Sequence, residues 1–186
     1  MKYLKNPVIA VFLSAIIILS SSFLSARIKL SKASDKVTAG FYQGLQFGGY
    51  KRKSIASQLE NICGAVSGLT TIAKNYGVDC KEVTALNKEL SNRLFSEYGA
   101  VSSIYSGYTA LREALPPMLD ALSGMKLSNR DEKGAKDYMV TIMDAQKVIE
   151  ESGYNESVRE FSKDMSRFPA DFFLSLTRTK LPQIFG

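Results

Sequence analysis

The sequence predicts an all-α protein: an N-terminal transmembrane helix followed by an antiparallel bundle of three to four long helices. Three observations predict it. Apolar residues recur at three- and four-residue spacing along most of the chain, which gathers them on one face of a helix. No run of alternating apolar and polar residues bounded by hairpin turns signals strands. A stretch without charge, NPVIAVFLSAIIILSSSFLSA, separates Lys5 from Arg27.

That stretch is the first element, an anchor over residues 1–30. About 20 helical residues cover the roughly 30 Å hydrocarbon core, so the run is just long enough to span it. Pro7 sits near its start, where a missing N–H costs little. A cleaved secretory signal is the competing reading, with Lys2 and Lys5 ahead of an apolar stretch, Val8–Leu19. Cleavage after Ala26 would place Leu24 where a small residue is expected, which favours an uncleaved signal-anchor. Basic residues flank both ends, and Arg27, Lys29, Lys32 and Lys36 tilt the bias toward a cytoplasmic bundle.

Residues 31–50 read as a glycine-containing juncture, with Gly40, Gly44, Gly48 and Gly49 loosening any helix there. The bundle is placed at 51–169. Its first helical region runs from Lys36 to about Asn75, with a seam of Ile55, Leu59, Ile62, Val66, Leu69 and Ile72 or Ala73. Gly77 breaks the pattern, and Asp79 with Glu82 three residues on forms an N-cap signature. A second helix is expected from Cys80 to about Ala114, decorated by Tyr98, Tyr105 and Tyr108. Pro116 and Pro117 should kink or end it, since neither ring donates an N–H. The last long helix is expected from about Asp131 to Arg167. Its two apolar seams fall out of phase across Gly153, which predicts a bend there. Pro169 should stop it. The tail, 170–186, is apolar and aromatic and should dock on something.

Composition narrows the chemistry. Of 24 Lys and Arg, five (Lys2, Lys5, Arg27, Lys29, Lys32) lie in residues 1–32 with no acid among them. That leaves 19 basic against 18 acidic residues for the rest, an interleaved surface without the basic patch of a nucleic-acid binder. The absence of His excludes Ser-His-Asp and Cys-His catalysis and His-ligated zinc. Cys63 and Cys80 are too few for a thiolate zinc site. Glu156 and Glu160 stand one helical turn apart, with a solvated face the simpler account.

The segment SGYNESVREFSKDMSRFPADFF resembles the signature end of the LemA family: a Tyr-Asn pair (Tyr154, Asn155), a Val-Arg step (Val158, Arg159) and a Phe-Pro that closes the helix (Phe168, Pro169). The segment KRKSIASQLENICGAV resembles that family's first long helix. Glu151-Ser152-Gly153 stands where the family usually has an Arg before the Tyr-Asn pair, and Ser162 replaces a second asparagine, so the chain resembles a divergent member. The resemblance implies a membrane-anchored helical bundle, with a short N-terminus often taken to be outside, and implies no known reaction.

These six residues have two readings. Asn155 and Arg159 share a helix face and could form a polar binding spot. Alternatively, Tyr154 and Phe168 anchor the tail while Asn155 caps or bridges helices. The expected function is a scaffold or protein-interaction module, without catalysis or cofactor. Its partners are the lipid bilayer through the N-terminal helix and a protein partner, with no nucleic acid and self-association left open. The alternative is lipid contact or membrane shaping through the tail's Phe172, Phe173, Leu176 and Phe185 beside Arg178 and Lys180.

Overall fold

The computed structural model describes residues 7–47, 49–96, 100–167, 170–177 and 179–186. Seven helices carry almost all of the regular structure among these residues: α1 Pro7–Gln43, α2 Ile55–Asn75, α3 Lys81–Leu94, α4 Val101–Ser123, α5 Asn129–Glu150, α6 Tyr154–Met165 and α7 Ala170–Thr177. Between α1 and α2 a two-residue antiparallel pair, β1 Gln46–Phe47 and β2 Tyr50–Lys51, replaces the expected loose helix. Gly44 (φ 79°) and Gly49 (φ 88°) supply the left-handed conformations at its entry and turn. The first helical region predicted over Lys36–Asn75 is therefore divided.

The chain forms two compact units, Met1–Thr38 with Val158–Pro182, and Ala39–Ser157 with Gln183–Gly186. In the first unit, the uncharged run from Pro7 onward lies in α1. Among the described residues no helix is long and apolar enough to cross a membrane, so the expected transmembrane helix is not met there. Much of the apolar run it rests on, at 8–10, 12, 13, 15 and 19, has side chains outside those described. Ser34, 5% exposed, donates its hydroxyl to the Lys180 carbonyl at 2.7 Å. The Thr177 and Thr179 hydroxyls pair at 2.7 Å.

In the second unit α2 is the central helix, packed against α5 and α3, while α4 packs on α3. The predicted seam is the one buried: Leu59, Val66, Leu69 and Ala73 have no exposed surface, and Ile55, Ile62 and Ile72 have little. Ser54 caps α2 by accepting from the Ser57 N–H at 3.1 Å. The helix ends on Gly77 (φ 74°), with Val78 N–H bonded to Ala73 O and Gly77 N–H to Lys74 O, a Schellman closure. The N-cap of α3 is Cys80, not Asp79; Asp79 instead accepts from the Lys81 N–H at 3.1 Å.

The helix expected over Cys80–Ala114 is broken between α3 and α4. A straight helix would carry Val101, Ile104 and Leu111 away from α2, whereas the reversal buries all three. Arg93 near the end of α3 donates to the Ser103 carbonyl and the Ser106 hydroxyl of α4, closing the turn. The prolines do not end α4 either: Pro116 and Pro117 lie inside it. Both are exposed, while Leu115, Met118 and Leu122 keep the buried face continuous. Ser128 caps α5, accepting from the Asp131 N–H at 3.1 Å. The bend predicted at Gly153 is present as a full break between α5 and α6, with Gly153 at φ 71°.

Candidate functional site

The Tyr-Asn pair opens α6 in the second unit, and residues 183–185 return to it. Tyr154 is 1% exposed and donates its hydroxyl to the Gln183 carbonyl at 2.8 Å. Asn155 holds Phe185 from both sides: its Nδ2 donates to the Phe185 carbonyl and its Oδ1 accepts from the Phe185 N–H, each at 2.9 Å. One amide side chain thus replaces a neighbouring strand for a single residue. The Phe185 ring sits 5.1 Å from Tyr105, 5.5 Å from Phe41 and 5.8 Å from Tyr108 between centroids, spacings typical of attractive aromatic packing. Phe41 in turn meets Tyr154 edge-on at 5.7 Å.

Gln183 does a second job. The N-cap position of α4 is Ala100, which has no side chain to offer. The Gln183 Oε1 accepts from the Ser102 N–H and hydroxyl, each at 3.2 Å, and so caps α4 from a distant part of the chain.

Beside this clasp lies a cavity of about 180 Å³ lined by Tyr105, Tyr108, Arg112, Gln146, Glu150 and Asn155 among others. Burial raises the Tyr108 hydroxyl above its usual range, with Gln146 and Arg112 acting against it. Burial, with a smaller contribution from Tyr42, pushes Tyr154 up to about 12. Both phenols are therefore held neutral, Tyr154 as the donor to Gln183.

Of the six residues singled out in the sequence, Tyr154 and Asn155 come together on the tail. Val158, 1% exposed, and Arg159, exposed, belong to the other unit. Phe168 and Pro169 lie outside the described residues, as do Tyr98 and Arg178 and the side chain of Phe173. Asn155 neither caps a helix nor bridges two; it pairs with the tail backbone. Sequence reasoning missed Gln183, Ser102 and Phe41. No local signal marks Gln183, because its role depends on a cap missing some 80 residues earlier in the chain.

Cys63 and Cys80 are both free and buried. Burial, reinforced by Glu60, pushes the Cys63 thiol up to about 11, away from thiolate chemistry. Among the described residues no three Cys, Asp or Glu gather where a metal ion could be held. No family model, curated protein or solved structure matches the chain.

Proposed function

We propose that the protein is a single-pass, membrane-anchored helical bundle of LemA-like type that works by protein contact. The observation carrying this reading is the outer face of α5. Val140 and Met143 are 55% and 64% exposed, and Met139 is 40% exposed beside them. Adjacent to it a groove of about 360 Å³ between α4 and α5 is walled by Leu119, Leu122, Met125 and Met139, with Leu69 at its floor. Exposed apolar surface of this extent is costly unless a partner covers it, and methionines adapt their shape to one. The charge-free N-terminal run supports the anchor, and the Tyr-Asn and Val-Arg steps support the family resemblance.

The test places a photo-crosslinking residue at Val140 in the full chain, in cells, with the same residue at Glu113 on the exposed side of α4 as control. A discrete adduct at Val140, absent at Glu113 and lost in Met143→Glu, supports the contact. Equal or absent adducts at both positions refute it.

Lipid contact is a second reading, favoured by Phe172 and Leu176, each 55% exposed and one helical turn apart on α7. A fluorophore at Leu176→Cys in the full chain, reconstituted in vesicles, would be quenched by spin labels near the headgroups. No quenching removes this reading.

A further inference from the structure

The clasp at the start of α6 is built as a plug and a socket. The plug is short, with its hydrogen bonds and ring contacts made by Gln183 and Phe185. The Tyr154 hydroxyl and the Asn155 amide hold its backbone. The Gln183 side chain on Ser102 and the Phe185 ring among Phe41, Tyr105 and Tyr108 supply the selectivity. What the socket reads is therefore a Gln-x-Phe step.

Three features let that step come from another molecule. Residues 179–186 carry no regular structure, so no helix or sheet has to break when the plug leaves. The connection between plug and socket is also indirect: the chain leaves the second unit after Ser157 and re-enters it at Gln183, while 158–182 belong to the other unit. Vacancy, finally, is costly. Without the plug, rings such as Phe41 and Tyr108, 0% and 7% exposed, lose their cover, and the Ser102 N–H of α4 loses its acceptor. A socket whose own plug is out draws in a replacement, and the sequence that meets every one of these contacts is the same tail on a second copy. We propose that two copies exchange tails: Phe185 of each seats between Phe41, Tyr105 and Tyr108 of the other, so the pair forms through contacts already present in one chain. A tethered tail acts at an effective concentration on the order of millimolar, so exchange gains as copies are crowded. This surface is distinct from the exposed face of α5, and either contact can fail without the other.

The test uses full chains with a photo-crosslinking residue in place of Ile184, which is 39% exposed beside the seated ring. Isotopically light and heavy protein are mixed equally and reconstituted in vesicles, and mass spectrometry of the digest separates crosslinks within a copy from those between copies. Light tails joined to heavy peptides containing Tyr105 or Asn155 are expected, rising roughly threefold or more when protein density is raised about tenfold. Crosslinks confined to one isotope at both densities overturn the proposal. A complementing pair checks the route. Phe185→Ala empties a socket, and Asn155→Leu frees a tail by removing both backbone bonds that hold it. Carrying different tags, these two variants should co-purify in detergent, whereas two Phe185→Ala chains should not. Equal recovery of both combinations places the association on another surface and overturns exchange, as does no recovery of the mixed pair. If circular dichroism shows either variant unfolded, the isotope experiment decides alone.

Discussion

Tyr154 and Asn155 illustrate how much two adjacent residues can organise. Removing the Phe185 ring should empty an aromatic pocket, and Phe185→Ala is expected to cost about 3–5 kcal/mol in urea denaturation. Asn155→Leu keeps the volume but strips both backbone bonds from Phe185, and should cost about 1–3 kcal/mol. Tyr154 adds a pH signature. Its phenol rises from 10.0 to about 12 in the folded state, so the folded state holds its proton more tightly than the unfolded one. The stabilisation is complete below pH 10 and is lost as pH rises from 10 to 12. Tyr154→Phe should therefore flatten the decline of the unfolding midpoint across that window. An unchanged slope would place the alkaline sensitivity on the other buried phenols.

At the scale of elements, the close approach of α5 to α2 turns on Gly68. A Cβ there would run into the Tyr138 ring of α5. Gly68→Ala should destabilise by about 1–3 kcal/mol, whereas Gly64→Ala, one turn earlier in open space, should stabilise by up to about 1 kcal/mol. The contrast between two alanines in one helix tests α2–α5 packing with propensity held constant. In α4, replacing exposed Pro117 by Ala restores a backbone donor and should raise stability by about 1–3 kcal/mol, read as a higher urea midpoint. The α2 seam, the Gly77 stop and the Gly153 break were legible because each rests on local periodicity or on a glycine's permissive backbone. The α3–α4 break and the passage of α4 through Pro116 and Pro117 were not. Both are decided by what the chain packs against, which local preference does not encode. Half of the tail clasp was legible in the same way: Tyr154 and Asn155 stand out, but Gln183 acquires its role only from Ala100 failing to cap α4.

For the whole molecule, the proposed anchor raises the question of which side of a membrane would carry the bundle. Lys126 lies exposed between α4 and α5 and offers a site for labelling. The native thiols should stay silent, since Cys63 is 8% and Cys80 5% exposed. If the N-terminal run anchors the chain as proposed, the basic flank that follows it predicts that Lys126→Cys resists a membrane-impermeant maleimide in intact cells and reacts after permeabilisation. Labelling of intact cells would reverse the orientation and move the search to the cell exterior.

The return of Gln183 and Phe185 to Phe41 and Tyr154 also has a meaning in time. Synthesis delivers the walls of that pocket first and its plug after every bundle helix. Until residues 183–185 emerge, the Phe41, Tyr105 and Tyr108 rings face an open socket and α4 lacks its distant cap. The bundle is thus sealed late, by a contact between residues far apart in the chain, the kind that forms slowly because a long loop must close first. A chain interrupted before that point would expose an aromatic socket, a ready mark for quality control to recognise.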